Sequence, residues 1–176
     1  MRINFVPAEL RRLDLLRSDV LALSLFEDER PLRGAAGLVD WRLCGRLSRL
    51  LETGRLRGSA PEITLVPPRP RLPFDKLLLV GLGRSADFSA ATFAAAMEQT
   101  FEALRSMRTH SSVMSLPGRA TGRIPPEQAI QLFVEIAAAH DHQDEVTLIE
   151  DLESQKLLAP LVDQHRKRGD THPARS

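Results

Sequence analysis

Glycine-rich loops are the part of this sequence with the clearest capacity for chemistry, because glycine lets backbone amides approach the oxygens of a phosphate. Three such loops each precede a segment with a helical pattern, and a helix amino terminus adds a favourable dipole for an anion. Neither of the phosphate-binding patterns GxGxxG and GxxxxGKS/T occurs. Turns between strands and helices also use glycine for purely steric reasons, which is the expected role here, and a nucleotide-type ligand at these loops is the alternative. Its candidate binding residues are Gly34, Gly37, Gly81, Gly83, Gly118, Arg119 and Gly122.

Two histidines, His140 and His142, with Asp144 and Glu145 nearby, form the cluster that most resembles a set of metal ligands. Residues two positions apart do not share a helical face, so both could hold one ion only from an irregular helix end. Histidine and polar residues are also favoured at the carboxyl end of a helix without any metal. We expect a solvated helix cap and predict no metal site.

Nucleophilic and basic side chains are present without a catalytic pattern. Cys44 lies on the apolar stripe of a predicted helix, which indicates a packed thiol, and no GxSxG elbow is available for a serine nucleophile. Arg42, Arg46 and Arg49 form a second stripe on that helix, and it could contact phosphate or an acidic partner. A solvated helix face is the expected role of that stripe. We predict no catalytic residue and no cofactor.

The elements that must position these residues are short apolar runs alternating with amphipathic helical patterns. Residues 9–17 fit either a helical turn or a strand. The alternation predicts a largely parallel or mixed sheet covered on both faces, which is an α/β three-layer domain. Strands are predicted at 3–6, 20–26, 62–66, 76–80, 112–116 and 145–149, and helices at 37–53, at 89–107, from Pro125-Pro126 and after Asp151.

Composition excludes several classes of protein. The 176 residues are 43% hydrophobic and 27% charged, which fits one domain, predicted at 1–167, with a disordered tail at 168–176. A net charge of +1 gives no global field for a polyanion, and a single cysteine excludes a disulfide-rich secreted domain. No apolar run approaches the roughly 20 residues of a membrane span, and the first residues lack a signal-peptide pattern. A cytoplasmic protein without a membrane partner is expected.

The charge is unevenly distributed. Residues 1–123 carry a net charge of +6, whereas residues 124–176 carry −5. Such an asymmetry is a mild indication of a docking face, and chance variation in composition is the expected explanation.

Several segments resemble the amino-terminal domain of the leucyl (cytosol) aminopeptidase family of metallopeptidases. They are Asp19–Ala22 with Phe26–Asp28 after it, Leu50-Leu51 before a break at 54–58, and above all the LLLVGLG sequence at 77–83. The resemblance covers roughly residues 3–150. It implies a macro-domain-like fold, with a mixed sheet of about six strands between layers of helices.

That resemblance also implies where the family's chemistry resides. The two metals and the catalytic lysine and arginine belong to a separate carboxy-terminal domain with a signature like NTDAEGR, which does not occur here. The lysines are Lys76, Lys156 and Lys167, and none lies among carboxylates as a two-metal mechanism requires. With room for one domain, the chain is predicted to be a stand-alone, non-catalytic homologue of the amino-terminal domain. We expect an interaction or regulatory module that forms a homo-oligomer or binds a protein partner.

Two alternatives follow from the same resemblance. A macro-like module could bind an ADP-ribose-type nucleotide, and residues 34–40 (GAAGLVD) are distantly similar to the glycine-rich loop of ADP-ribose-binding macro domains. The Asn-rich segment typical of those domains is missing after residues 24–27. A weaker alternative is DNA contact through the arginine-rich first half, as in some family members, although the near-zero net charge disfavours a nucleic-acid partner.

Overall fold

A single mixed sheet forms the centre of the protein. The computed structural model describes residues 1–170, with side chains described as far as Asp163. Within that part of the chain, six strands are arranged in the order β1-β6-β5-β2-β4-β3, and all neighbours are parallel except β3 and β4. The strands are β1 (Arg2–Val6), β2 (Val20–Leu25), β3 (Ile63–Val66), β4 (Lys76–Gly81), β5 (Ser111–Met114) and β6 (Glu145–Ile149).

The central strands β2 and β4 are apolar along nearly their whole length because both of their faces are covered. Leu21 and Leu23 of β2 point into one core, whereas Val20 and Ala22 point into the other. The strand β3 runs antiparallel because residues 67–75 are too few for the crossover that a parallel connection needs. All six predicted strands are confirmed.

Helices cover both faces of the sheet, and each layer has its own core. On one face, α1 (Leu10–Leu13), α2 (Gly34–Arg42) and α3 (Arg46–Glu52) pack through buried leucine, valine and alanine side chains. On the other face, α4 (Ala90–Ser106), α5 (Pro126–Ala137) and α6 (Leu152–Asp170) contribute three buried phenylalanines. The predicted three-layer α/β architecture is confirmed.

The single helix predicted over 37–53 is wrong, because the chain breaks between α2 and α3. Cys44 and Gly45 have φ angles of 57° and 73°, so both lie in the left-handed region and end α2. The change of direction places the Cys44 side chain in solvent, which corrects the predicted packed thiol. Asp40 then caps α3 across the break, since its Oδ1 accepts a hydrogen bond from the backbone N–H of Leu47 at 2.7 Å.

Side-chain caps begin two of the other helices. The hydroxyl of Ser89 accepts a hydrogen bond from the N–H of Thr92 at the start of α4. The carboxylate of Asp151 accepts one from the N–H of Ser154 at the start of α6. The ambiguous segment 9–17 contains the short helix α1. The predicted tail overlaps the end of α6 at 168–170, and its remainder lies outside the described residues.

None of the helices in residues 1–170 combines the length and the apolar character needed to cross a membrane.

Candidate functional site

Three predicted glycine loops meet at the carboxyl edge of the sheet, where ligands bind in open α/β domains. Two of them are packed against each other, because a Cβ placed on Gly34 would lie 2.7 Å from the Cβ of Ala120. A Cβ on Gly118 would lie 2.6 Å from the ring of Phe88, which also makes an edge-to-face contact with Phe26. The space between these loops is therefore occupied by the chain's own side chains.

Two more of the predicted glycines, Gly37 and Gly81, admit neighbouring backbone rather than a ligand. A Cβ on Gly81 would overlap the carbonyl oxygen of Ser59, and a Cβ on Gly37 would lie 2.5 Å from the carbonyl oxygen of Leu32. The backbone of Gly83 is engaged within the chain, since its N–H donates to the carbonyl of Gly58 at 2.9 Å and its carbonyl accepts from the N–H of Glu27 at 3.0 Å. The segment 34–37 is not a loop before the helix, because α2 begins at Gly34. Close packing of backbone explains the glycines at positions 37 and 81.

Arg119 is held inside the protein by a bidentate ion pair with Glu150. Its Nε and Nη2 atoms donate to the two carboxylate oxygens at 2.9 and 2.8 Å, and the side chains of Arg119 and Glu150 are 14% and 3% exposed. Further hydrogen bonds reach the carbonyl of Ile124 and the hydroxyl of Ser154. The hydrogen bond to Glu150 raises the pKa of the Arg119 guanidinium. These hydrogen bonds occupy the guanidinium N–H groups of Arg119 that would otherwise bind the phosphate of a ligand.

A polar crevice of about 280 Å³ remains at the same edge. It is formed by the loops after β2, β4 and β5, and of the predicted site residues only Gly122 lines it. Ser85 donates hydrogen bonds from its N–H and its hydroxyl to the Asp28 carboxylate, and these bonds lower the pKa of Asp28. The Nη2 atom of Arg123 donates to the Ser85 hydroxyl at 3.2 Å. The crevice is lined by Phe26, Asp28, Glu29, Arg30, Arg33, Ser85, Thr121, Gly122 and Arg123.

A larger groove of about 750 Å³ lies at the break between α2 and α3, in the opposite helix layer from α4 and α5. We call it the Trp41 groove, because the indole of Trp41 is 73% exposed beside it. Its lining residues are Pro31, Leu32, Gly37, Asp40, Trp41, Arg42, Cys44, Gly45, Ser48 and Arg71.

The Trp41 groove is held in shape by polar contacts beneath it. The carboxylate of Asp40 is buried and accepts hydrogen bonds from the N–H groups of Leu47 and Ser48 and from the Ser48 hydroxyl. Arg42 forms an ion pair with Asp14 at 2.7 Å, which ties the end of α2 to the segment after α1. Both carboxylates are thus engaged within the chain.

Trp41 was not among the residues predicted from the sequence. It is the single tryptophan of the chain, and it falls off the buried stripe that contains Val39, Leu43 and Leu47. A large aromatic side chain on the exposed side of an amphipathic helix is the signal that sequence reasoning could have used.

The predicted arginine stripe is also corrected by the helix break. Arg42 lies on α2 and pairs with Asp14, whereas Arg46 lies on α3 and donates to the carbonyl of Pro67 at 3.1 Å. Arg49 is exposed on α3. The three guanidinium groups therefore do not form one helical face.

The histidine pair lies at the end of α5 and is packed against α4 rather than solvated. The ring of His140 stacks on Phe101 with centroids 4.7 Å apart, and its Nε2 atom lies 2.7 Å from a carboxylate oxygen of Glu98. The Nε2 atom of His142 is buried and has no hydrogen-bond partner among the described residues. Burial, and then the charges of His140 and Arg105, lower the pKa of His142. No group of three or more potential metal ligands occurs within the described part of the chain.

Comparison with known sequences identifies relatives of this domain. The family model described as "Cytosol aminopeptidase family, N-terminal domain" matches residues 22–147. A probable cytosol aminopeptidase of Halorhodospira halophila is 35% identical over 101 residues, which cover 57% of this chain and 20% of that protein. Another, from Thermosynechococcus vestitus, is 32% identical over 142 residues, which cover 80% of this chain and 28% of that protein. The chain thus spans a fifth to just over a quarter of the length of these relatives.

Solved structures with the same fold include macrodomains and an aminopeptidase. The macrodomain of Mycobacterium tuberculosis DarG superposes with a TM-score of 0.65 at 14% identity, covering 85% of this chain and 98% of that chain. The Trypanosoma brucei macrodomain in complex with ADP-ribose gives 0.68 at 14% identity, covering 92% and 69%. A mutant tomato leucine aminopeptidase gives 0.62 at 15% identity, covering 94% of this chain and 36% of that chain. The fold is therefore macro-domain-like.

Proposed function

The chain belongs to the cytosol aminopeptidase family through its match to the family's N-terminal domain, and we propose that it is a non-catalytic module that binds another protein through the Trp41 groove. Stand-alone action of this module, as a homo-oligomer or with a different protein, is part of the proposal. The exposed indole of Trp41 beside a groove of about 750 Å³ is the observation that carries it.

Tryptophan is enriched among the residues that dominate protein interfaces, because a large rigid side chain buries much area at little entropic cost. Trp41 is 73% exposed, and apolar walls from Pro31 and Leu32 continue from it. An apolar surface of this kind, with arginines at its border, is typical of an interaction site rather than of ordinary protein surface. The packing of the glycine loops against their own chain supports the same assignment, because it removes the site first expected for a small ligand.

The single cysteine gives a direct test of this proposal. Cys44 is exposed and lines the groove, so a benzophenone maleimide attached to its thiol would place a photo-crosslinker at the proposed interface. Irradiation in a lysate of the source cells should yield a defined adduct, and the protein in that adduct, once purified, should bind the unlabelled chain. A Trp41→Ala variant should abolish both the adduct and the binding.

The matched control moves the crosslinker to a remote position. Cys44→Ser combined with Ser106→Cys places the only thiol at the exposed end of α4, in the opposite layer of helices. The defined adduct should be absent from this variant. Identical adducts from both positions, or adducts that persist with Trp41→Ala, would contradict the proposal.

A second candidate function is supported by the polar crevice at the carboxyl edge. Arg30, Arg33 and Arg123 are exposed around about 280 Å³, which is enough for a phosphate and part of a ribose. A macrodomain of the same fold has been solved with ADP-ribose. The crevice could therefore bind a phosphate-bearing nucleotide through guanidinium groups rather than through the predicted glycines.

Calorimetric titration with ADP-ribose, ATP and NAD tests this second function. Binding should weaken strongly in an Arg123→Ala variant, because the Arg123 guanidinium already points at the hydroxyl of Ser85 inside the crevice. The Trp41→Ala variant should titrate like the unaltered protein. Absence of heat at millimolar ligand rejects the nucleotide function and leaves the protein-binding proposal unaffected.

A further inference from the structure

We propose that the segment recognised by the Trp41 groove is an acidic peptide with an apolar anchor residue, supplied by a partner protein. This inference rests on the proposed function, and it adds the chemistry of the partner. The groove has an apolar floor and walls. The charged side chains at its border that a peptide can reach are two arginines, Arg42 and Arg71.

The requirement for an apolar anchor residue follows from the side chains that line the groove. Trp41 is exposed, Leu32 is buried behind the groove, and the exposed ring of Pro31 and the thiol of Cys44 face the same space. An aromatic or branched aliphatic side chain inserted there would cover the indole and remove apolar surface from water. The volume of about 750 Å³ is large enough for a short peptide segment that carries such a side chain.

The preference for an acidic peptide follows from which charged side chains of the groove already form contacts within the chain. The one carboxylate that lines the groove, on Asp40, is buried and accepts three hydrogen bonds from α3, so its oxygen atoms are already engaged within the chain. Arg71 is exposed at the border and forms no ion pair with another described residue. Arg42 forms an ion pair with Asp14, and both side chains are partly exposed. A glutamate or aspartate beside the anchor would therefore meet an unopposed guanidinium.

The asymmetry of the sequence supports an acidic partner. The first 123 residues, which include the whole groove, carry a net charge of +6. The positive side chains at the groove, Arg42 and Arg71, would favour the approach of an acidic segment over a basic one. The acidic residues 124–176 of a second copy are one source of such a segment, and the experiment below separates them from a different protein.

The protein contains its own optical reporter for this site. Trp41 is its single tryptophan and the chain has no tyrosine, so emission excited at the red edge of the absorption band comes from the groove alone. Burial of the indole under a peptide should shift that emission to shorter wavelength, whereas a ligand bound elsewhere should leave it unchanged.

The test is a selection from a random library of twelve-residue peptides displayed on messenger RNA, with the full chain as bait. Enriched peptides should carry one or two apolar residues flanked by Glu or Asp, should shift the Trp41 emission, and should lose at least tenfold in affinity for Trp41→Ala. The Arg71→Glu variant should lose a similar factor and should regain it for peptides whose acidic residues are replaced by Lys. Arg17→Glu, an exposed arginine outside the groove, is the matched control and should bind like the unaltered chain.

Peptides without an acidic bias, peptides that bind Trp41→Ala equally well, or no enrichment at all would overturn the inference. Sedimentation equilibrium tests whether a second copy of the chain occupies the groove in place of a different protein. A concentration-dependent dimer that dissociates in the Trp41→Ala variant would identify the second copy and overturn the assignment to a different protein. The crosslinking experiment at Cys44 can succeed when this selection fails, since it requires a protein partner of any charge. The two proposals therefore fail separately.

Discussion

At the scale of single residues, Arg119 shows how a basic side chain in a glycine-rich loop can serve the fold instead of a ligand. The sequence placed it among candidate phosphate contacts, because its loop precedes a helix. Its true partner, Glu150, follows β6 and is distant in sequence, so no local pattern could reveal the pair. The pair joins the loop after β5 to the start of α6.

We expect the Arg119→Met variant to lose about 3 kcal/mol of unfolding free energy, because it leaves the Glu150 carboxylate buried without its counter-ion. Urea denaturation followed by circular dichroism measures the loss. The double variant Arg119→Met with Glu150→Met should be more stable than Arg119→Met alone, since no buried charge then remains. A double variant less stable than the single one would show that the carboxylate has another partner.

His142 is a second residue whose surroundings set its behaviour. Burial lowers its pKa below the ordinary value of 6.5, so the unfolded chain binds the proton more readily than the folded one. The neighbouring His140 and Arg105 act in the same direction, while Asp141 opposes them. Protonation of His142 therefore favours unfolding.

Stability should be unaffected by this group above pH 6.5 and should fall as the pH drops from 6.5 towards the lower folded pKa. Unfolding free energies measured in urea at several pH values should show this fall, and His142→Phe should flatten it. His110→Gln, at an exposed histidine, serves as the control and should leave the fall in place. A His142→Phe protein with an unchanged pH profile would contradict the assignment.

At the scale of elements, the break between α2 and α3 decides the shape of the Trp41 groove. Apolar spacing continued from Leu43 to Leu51, so periodicity alone predicted one helix. Gly45 was the available signal for a break, because glycine readily adopts the left-handed conformation that ends a helix. The cap that Asp40 supplies to α3 could not be predicted, since it acts across the turn and not from the residue before the helix.

Asp40→Ala should destabilise the protein by about 2 kcal/mol, because the N–H groups of Leu47 and Ser48 lose a charged acceptor. Chemical denaturation measures the loss, and Trp41 emission reports any change in the adjoining groove. Asp40→Asn keeps an acceptor oxygen in place and should recover at least half of the lost stability. Equal losses in both variants would show that the carboxylate acts through its charge rather than as a cap.

The strands were easier to predict than the site. Runs such as KLLLV and EVTLI are buried on both faces of a mainly parallel sheet, so their apolar character is continuous and visible in the sequence. The glycine loops gave a misleading signal, because the same residue type permits phosphate binding and close backbone packing. Contacts distant in sequence, such as those of Gly34 with Ala120 and of Gly118 with Phe88, distinguish these two roles.

At the scale of the whole molecule, the family match concerns the N-terminal domain, and the described residues contain no cluster of potential metal ligands. We expect the purified 176-residue chain to release no product from leucine p-nitroanilide in the presence of Mn²⁺ or Zn²⁺. A full-length relative, such as the cytosol aminopeptidase of Thermosynechococcus vestitus, should be assayed in parallel as the positive control. Turnover that copurifies with this chain through several columns would overturn the non-catalytic assignment.

The edge strand β3 has a consequence for solubility. It lies at the border of the sheet, and its side chains Ile63 and Leu65 are exposed, which is the arrangement that recruits further strands into aggregates. Prolines at 61, 67 and 68 flank the strand and cannot donate backbone hydrogen bonds. A chain that adds to this edge can therefore pair with only about four residues. We therefore expect the flanking prolines to limit strand addition at this exposed apolar edge and to disfavour fibril formation.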